Sequence, residues 1–293
     1  TPWTIPGNQA IAFNKKINYF LINVNNSNLI DENKRKLLVS ENLLEKFIKH
    51  CQIKNFNILK KIEGHILEGT FANHPLYKKG YNDKIPLLYG EFVDESEGTG
   101  FVHIAPSYGE DDFSLAKIHN IAIKDIVADN GVYKPGTPVF EGLHVFKADE
   151  AVIESLKSQG HLIGVREFNH SYPHSWRSKK PIIYRTTPQW FISMDKNNLR
   201  KYALEGIEKT KWLPYASKNR IKKMVSDRPD WCVSRQRAWG VPLTIFINKK
   251  TGEPLRDKNI MEKIISAVER YGSDIWLSSD VSKFLTGKNM DDF

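Results

Sequence analysis

Hydrophobic and polar positions change their spacing several times along the chain, and these changes predict its elements. Residues 9–27 and 51–105 contain short apolar runs broken by Gly, Pro and Asn, which is typical of strands joined by turns. Residues 31–50 (DENKRKLLVSENLLEKFIKH) and 148–161 (ADEAVIESLKSQGH) space their apolar positions at helical intervals. Residues 1–162 are therefore predicted to form one compact unit of mixed α and β structure.

The pattern changes near residue 165, where extended, aromatic-rich segments begin. We predict a connector at residues 163–225, whose arms are VREFNHSYP and PIIYRTTPQWF. Helical spacing returns in NLRKYALEGIEK, SKNRIKKMVSD and NIMEKIISAVERYG, and VPLTIFIN has the composition of a strand. Residues 226–293 form the third predicted segment.

Composition narrows the class of protein. Of the 293 residues, 40% are hydrophobic and 26% are charged, which is typical of a folded globular protein. The sequence has no apolar run of about 18 residues and no secretory signal, so we expect a cytoplasmic location. Cys51 and Cys232 lie far apart without a CxxC pair, which argues against a disulfide and a cysteine zinc site. The chain starts at Thr1, so we expect a piece of a longer protein.

The formal charge of +9 and the pI of about 9.3 are compatible with a polyanionic partner. Lys and Arg give non-specific affinity for nucleic acids because they neutralise phosphates. Lysine is abundant throughout the chain, so charge alone leaves a bias of overall composition open as the explanation. If RNA binds, we expect it to contact basic residues from this set: Lys15, Lys16, Lys60, Lys61, Lys78, Lys79, Arg220, Lys222 and Lys223.

The stretch GTGFVHIAPSYGEDDF, residues 98–113, places His103 between two hydrophobic residues and three acids shortly after it. Taken alone, the histidine can be a satisfied, half-buried side chain, and Asp111 or Asp112 can cap a following helix. A triad of Ser107, His103 and Asp111 has suitable residue types, but no GxSxG-type elbow surrounds the serine. Structural and catalytic interpretations both stay open from this stretch alone.

Three further stretches can be compared with residues 98–113. They are TPWTIPGN at residues 1–8, PQWFISMD at 188–195 and RPDWCVSRQRAWGVPL at 228–243. The four motifs, in this order, resemble class I isoleucyl-tRNA synthetases in their connective-peptide editing insertion and the return to the catalytic domain. The residues of these motifs resemble those of isoleucyl enzymes more than those of valyl or leucyl enzymes. The resemblance implies a mixed α/β fold: a β-barrel-like editing domain of the Val/Ile/Leu type, an extended connector and a partial Rossmann-type catalytic segment.

The resemblance also implies a hydrolytic activity on isoleucine tRNA. In this family the editing domain removes misattached valine, because a pocket that fits isoleucine cannot expel a ligand one methylene smaller. One methylene is worth ~1–3 kcal/mol, a value for which isoleucyl enzymes are themselves a standard example. A second, smaller pocket selects in the opposite direction: valine enters it, whereas isoleucine clashes, since overfilling a rigid cavity costs ~1–3 kcal/mol.

The resemblance implies roles for the residues of this chain that match functional positions of the family. Asp112 matches the aspartate that holds the α-ammonium of the amino acid, and His103 matches the histidine that lines the side-chain pocket. Thr1 and Thr4 match threonines that position the terminal adenosine and the attacking water, so proximity is the main catalytic contribution. The implied catalytic and substrate-binding residues are Asp112, His103, Thr1, Thr4, Trp3 and Gly100. Trp3 is expected to pack rather than to catalyse.

Departures from the family pattern limit what this chain is expected to do. The family's threonine-rich peptide begins upstream of Thr1, so part of the site is expected outside this chain. Ser175 and Ser178 stand where some relatives carry zinc-binding cysteines, and His170 and His174 are interpreted as surface or packing residues. We therefore predict no metal.

The nucleotide-binding signatures of the family, HIGH and KMSKS, do not occur in the 293 residues. The parent enzyme uses ATP and Mg²⁺, but we expect no cofactor in this fragment and no charging of tRNA by it. A structural role is predicted for four residues of the last motif: Trp231, Arg235, Gln236 and Trp239.

Two alternative functions stay open from the sequence. The first is the editing region of a valyl enzyme, which would clear threonine from valine tRNA. The second is a non-catalytic RNA-binding module with a degenerate pocket, in which the basic residues contact phosphates. In each case we expect a monomer that does not associate with membranes.

Overall fold

A computed structural model describes residues 1–25, 36–167, 169, 171–235, 240–278 and 280–293. Contacts divide the chain into two units, Thr1–Thr186 and Thr187–Phe293. The single division falls inside the predicted connector, so the boundaries after residues 162 and 225 stay predictions. The predicted mixed α/β class is confirmed by the elements that follow.

The strands are, in chain order, β1 (Ala10–Phe13), β2 (Asn18–Asn25), β3 (Lys36–Ser40), β4 (Asn55–Glu63), β5 (Phe71–Asn73), β6 (Lys84–Tyr89), β7 (Phe101–Ile104), β8 (Phe191–Ile192) and β9 (Trp231–Cys232). The α-helices are α1 (Leu44–His50), α2 (Glu110–Ile118), α3 (Asp149–Ser158), α4 (Leu199–Lys209), α5 (Ala216–Ser226), α6 (Lys258–Tyr271) and α7 (Ile275–Ser278). Short 3₁₀ helices cover Pro2–Gly7, Glu41–Leu43, Gly64–Leu67, Val145–Lys147, Lys196–Asn198, Val281–Phe284 and Met290–Asp292.

The first unit contains two open sheets. One has the strand order β5-β6-β1-β7, and the other has the order β3-β2-β4. In the first sheet, β1 runs parallel to β6 and antiparallel to β7, so that Ile11 lies between Leu87 and His103. The described strands do not close into a barrel, and the barrel-like detail of the prediction is not observed among them.

A shared buried cluster joins the two sheets. Phe13, Tyr19 and Leu67 pack together, and the Tyr19 hydroxyl donates to the Gly100 carbonyl over 2.9 Å. Gly100 has a φ of +81°, and a Cβ atom on it would lie 2.6 Å from the Cβ of Ser40. Glycine is therefore required here by both the backbone conformation and the close packing.

The N-terminal 3₁₀ helix is anchored by Trp3, which is buried in the core that includes α3. Its backbone N–H donates to Asp149 Oδ1 over 3.0 Å, and its carbonyl accepts the Tyr133 hydroxyl over 2.5 Å. Its ring meets Tyr108 edge-on at 5.1 Å between centroids. A Cβ atom on Gly7 would lie 2.7 Å from the Tyr108 ring, so the helix closes tightly on this tyrosine.

Residues 31–50 differ from the predicted single helix. Positions 26–35 lie outside the described residues, whereas Lys36–Ser40 form β3 and only Leu44–His50 are α-helical. Leu37 pairs opposite Ile22 of β2, and Val39 is buried beneath the sheet. The apolar run KLLVS fits both periods, and pairing with β2 selects the strand because it satisfies the backbone groups.

The second unit consists mainly of helices. The predicted helices at α4, α5 and α6 are confirmed, and Asp257 Oδ1 caps α6 by accepting from the backbone N–H groups of Asn259 and Ile260. The predicted strand VPLTIFIN is wrong for the most part, since its residues form only an isolated bridge between Ile247 and Pro254. The described part of residues 226–293 contributes one strand, β9, so the Rossmann-type segment stays a prediction. No described helix combines the length and the apolar character needed to cross a membrane.

Candidate functional site

A cavity of about 840 Å³ opens in the first unit and is called the site cavity below. The predicted residues Thr1, Thr4, His103 and Asp112 all line it. They come from the N-terminal 3₁₀ segment, from β7 and from the start of α2. The fold thus brings together residues that are more than 90 positions apart in sequence.

Both ring nitrogens of His103 are engaged in hydrogen bonds. Its Nδ1 lies 2.5 Å from Asn8 Nδ2, and its Nε2 lies 3.1 Å from Thr4 Oγ1. The Asn8 amide nitrogen also donates to the Ala10 carbonyl over 3.0 Å, which fixes the amide orientation because only the NH₂ group can donate there. His103 Nδ1 therefore accepts, and the proton resides on Nε2.

The hydrogen-bond chain continues through Thr4. The Nε2–H group of His103 donates to Thr4 Oγ1, and that hydroxyl donates to the Thr1 carbonyl over 2.9 Å. Burial lowers the pKa of His103 to about 4, so the imidazole is neutral at pH 7. A neutral ring with both nitrogens engaged forms a fixed wall of the cavity rather than a proton carrier.

Asp112 differs from His103, because its buried carboxylate has few hydrogen-bond partners within the protein to stabilise its charge. Its Oδ2 accepts from the Ala105 backbone N–H over 2.7 Å, and the backbone N–H of Asp112 itself also favours the charged form. No cationic side chain of the described residues forms an ion pair with this carboxylate. Burial raises the pKa of Asp112 above its usual value, because desolvation disfavours the charged form. An ionised carboxylate here would gain from a cationic group in the cavity.

The start of α2 corrects the predicted cap. The N-cap is Gly109, no side chain caps the helix, and Asp111 is exposed on its first turn. Asp112 turns back toward Ala105 instead. A Cβ atom on Gly109 would lie 2.8 Å from Cγ of Asp112, so the glycine leaves the space that the carboxylate occupies.

The serine triad considered from the sequence does not form. Ser107 is 2% exposed, and its hydroxyl donates to the Lys124 carbonyl over 2.9 Å. His103 is bonded to Asn8 and Thr4 instead. Ser107 and His103 are therefore not paired as a nucleophile and its base.

Trp3 and Gly100 occupy structural positions. Trp3 lines the site cavity with part of its ring but is 6% exposed. Gly100 packs against Ser40 and Tyr19, and its neighbours Gly98 and Phe101 line the cavity. A contact of either residue with a substrate stays a prediction.

Several residues that line or support the site cavity carry no clear signal in the sequence. Asn8 ends the motif TPWTIPGN, but its role in orienting His103 depends on a neighbour 95 positions away. Tyr172 and Tyr184 also line the cavity, although they belong to the predicted connector. Their only sequence signal is the density of aromatic residues in that segment.

The predicted RNA-binding lysines of the first unit lie outside the site cavity. Three of them pair with carboxylates: Lys15 with Glu68 at 2.5 Å, Lys16 with Glu91 at 3.3 Å and Lys61 with Glu41 at 2.7 Å. Lys60 is exposed on β4, and Lys78 and Lys79 are exposed in a turn. Their role in RNA binding stays a prediction.

In the second unit, Arg220, Lys222 and Lys223 are exposed on α5. Lys222 Nζ lies 2.8 Å from Glu208, which also binds Lys218, and these two lysines lower the pKa of Glu208 to about 2. Part of this basic charge is therefore balanced within the unit, and its contact with RNA stays a prediction.

The segment that matches the zinc-binding stretch of some relatives forms a tight turn. The Ser175 N–H donates to the Lys180 carbonyl over 2.9 Å, and His174 Nδ1 lies 2.8 Å from the Tyr172 carbonyl. Within the ranges that the structure describes, no three or more His, Cys, Asp or Glu residues cluster as metal ligands. The absence of a metal stays a prediction, and His170, Gln236 and Trp239 lie outside the described residues.

Comparison with known proteins decides the family. The family model of class I tRNA synthetases (I, L, M and V) matches residues 7–293. The chain belongs to the class I tRNA synthetases. Among its relatives are isoleucine–tRNA ligases of Pelagibacter ubique, 48% identical over 98% of this chain, and of Gluconobacter oxydans, 43% identical over 100% of it. The isoleucine–tRNA ligase of Francisella tularensis is 43% identical over 98%.

This synthetase chain spans about a third of the length of the curated relatives it matches, namely 32%, 32% and 29% of these three proteins. A solved structure described as the crystal structure of GlLeuRS-CP1 aligns with a TM-score of 0.46 at 16% identity. The alignment covers 57% of this chain and 82% of that one.

Proposed function

We propose that this chain is the editing region of an isoleucine–tRNA ligase and hydrolyses the ester between valine and isoleucine tRNA. One observation supports this function above the others: a single cavity holds an under-compensated carboxylate, Asp112, and a neutral, fixed imidazole, His103. The first suits an ammonium group, and the second suits an uncharged side-chain wall. Charging of tRNA with isoleucine, with ATP and Mg²⁺, is assigned to the longer protein.

Asp112 would bind the α-ammonium of the valyl ester through a charge-assisted hydrogen bond. Water then attacks the acyl carbon, the bond from that carbon to the ribose oxygen breaks, and the ribose oxygen takes a proton. The products are free valine and deacylated tRNA. The aminoacyl ester is activated, so orientation of the water by Thr1 and Thr4 supplies the catalysis without a protein nucleophile.

Selection between valine and isoleucine would depend on the rigidity of the His103 wall. Asn8 and Thr4 hold the ring from both sides, at 2.5 and 3.1 Å, so the wall cannot rotate to admit a larger side chain without losing hydrogen bonds. Overfilling such a cavity costs ~1–3 kcal/mol, which corresponds to about 5- to 150-fold in rate.

The test is a deacylation assay with three substrates: valyl and isoleucyl esters of isoleucine tRNA and the threonyl ester of valine tRNA. We expect rapid hydrolysis of the first ester alone. Hydrolysis of the threonyl ester alone would favour a valyl editing region. No hydrolysis, together with retained tRNA binding, would favour a non-catalytic RNA-binding module.

A further inference from the structure

A second cavity of about 520 Å³ adjoins the site cavity. We call it the basic pocket and define it by Lys46, Lys49, His50 and Arg166 together with Glu97 and Gly98. Glu97 and Gly98 line both cavities and therefore form the rim between them. All of these residues belong to the first unit.

Three cationic side chains, Lys46, Lys49 and Arg166, line the basic pocket together with one carboxylate, Glu97. Lys46 and Lys49 lie three positions apart on α1 and so share a face of that helix. Lys46 Nζ donates to the Ser96 carbonyl over 3.2 Å, next to Glu97. Arg166 Nη1 donates to His50 Nε2 over 3.1 Å.

The charge of this pocket differs from that of the lysines singled out in the sequence. Lys15, Lys16 and Lys61 each bind a carboxylate. Lys46 and Lys49 are exposed, and neither forms an ion pair with a residue in the described part of the chain. Their positive charge is thus available to an external anion, and like-charge repulsion between them is relieved when one binds.

The rim at Gly98 is open. Gly98 has a φ of +79°, and no atom lies within 4 Å of the position that a Cβ atom would take. Glycine is therefore required here by its backbone conformation alone, and of the two rim residues only Glu97 contributes a side chain.

We propose that the basic pocket binds backbone phosphates of the single-stranded 3′ end of tRNA as the terminal nucleotide enters the site cavity over Gly98. This inference rests on the proposed function, which supplies the RNA. Lys46, Lys49 and Arg166 contact the phosphates, whereas the Glu97 carboxylate at the rim repels them. The pocket thereby directs the charged end of the RNA toward Asp112.

The test measures binding of deacylated isoleucine tRNA to the 293-residue chain by fluorescence anisotropy, between about 50 and 200 mM salt. Lys46→Ala and Lys49→Ala should each weaken binding about two- to fivefold. Each should also reduce the slope of log K against log salt by about 0.7, the value for a lost single-strand phosphate contact. Glu97→Gln should tighten binding, because it removes the repulsive charge.

The matched control is Lys124→Ala, which removes the same charge from an exposed lysine of the first unit that is already paired with Asp83 at 2.6 Å and is not among the predicted RNA-binding residues. It should leave affinity nearly unchanged, and melting temperatures should stay the same for the exposed Lys46 and Lys49 variants. The effect of Lys49→Ala should disappear with a tRNA that lacks its single-stranded 3′ nucleotides. Equal losses in Lys124→Ala and Lys49→Ala, or no tightening in Glu97→Gln, would overturn the assignment of the pocket.

Deacylated tRNA separates this inference from the proposed hydrolysis, because binding is measured without an ester. Asp112→Asn should keep the dependence of binding on Lys49 while it loses hydrolysis. If no ester is hydrolysed but the Lys49 dependence is observed, the proposed function fails and the basic pocket stands. If hydrolysis is observed and the Lys49 dependence is absent, the basic pocket fails alone.

Discussion

Two groups that line the site cavity differ in how fully their polar atoms are satisfied. For His103, Asn8 and Thr4 engage both ring nitrogens, and the ring stays neutral because its pKa is about 4. For Asp112, backbone N–H groups support a carboxylate whose pKa is raised by burial, and no cation of the described residues pairs with it. A fully hydrogen-bonded group holds a fixed position, whereas a carboxylate without a cationic partner gains free energy when a cationic ligand binds. Under the proposed function, His103 would limit the size of the side chain and Asp112 would bind the charged amine.

The largest expected effect comes from removing the charge of Asp112. Asp112→Asn keeps an acceptor for the Ala105 N–H but loses the charge-assisted bond to the ammonium, so kcat/KM for the valyl ester should fall about 10- to 150-fold. The melting temperature should stay equal or rise at pH 7, because a buried charge is removed. Asp111→Asn, on the exposed neighbour, is the control and should change neither quantity.

The next effect concerns the hydrogen bond that holds the His103 ring. Asn8→Ala leaves His103 Nδ1 without its donor, so the ring should sample both tautomers. The ring should then also be able to shift and admit a larger side chain. We expect the ratio of valyl to isoleucyl hydrolysis to fall about 5- to 10-fold, from ~1 kcal/mol or slightly more of lost steric exclusion. Nitrogen chemical shifts of the histidine ring check the tautomer directly. A single Nε2–H tautomer retained in this variant would contradict the role of Asn8.

A smaller effect should come from crowding the carboxylate without removing it. Gly109→Ala places a methyl group 2.8 Å from Cγ of Asp112, and its backbone φ of −136° suits alanine. KM for the valyl ester should rise by up to about fivefold, which corresponds to ~1 kcal/mol of overpacking. Gly206→Ala, in α4 with nothing within 4 Å, is the control and should stabilise the chain without changing KM.

The smallest expected effect is a dependence of stability on pH. Burial lowers the pKa of both His103 and His74 to about 4, so the unfolded chain binds more protons between about pH 4 and 6.5. The free energy of unfolding should be highest above about pH 6.5 and fall as the pH is lowered toward 4. Urea titrations should show a shallower fall for His74→Asn, and an unchanged slope would contradict the assignment of His74. Asp112 opposes the trend, since its raised pKa favours the protonated, folded form.

The motifs of this sequence predicted which residues share a cavity better than they predicted the surrounding secondary structure. Thr1, Thr4, His103 and Asp112 line one cavity, as expected from positions that match a family pattern. The role of Asn8 was not predictable, because its partner lies 95 residues away. The helix predicted across residues 36–40 was wrong, since local spacing cannot tell a strand that finds β2 from a helix. Tyr172 and Tyr184 were assigned to a connector because extended segments give no periodic signal.

The long sequence separations at the N-terminal segment have a consequence for biosynthesis. Trp3 is held by Asp149, which is 146 positions later, and Thr4 meets His103 after 99 positions. At about 5–20 residues per second, roughly 7–30 s of translation separate Trp3 from its anchor. Nascent chains therefore carry this stretch undocked until α3 has been synthesised, and the site cavity is assembled only after that point.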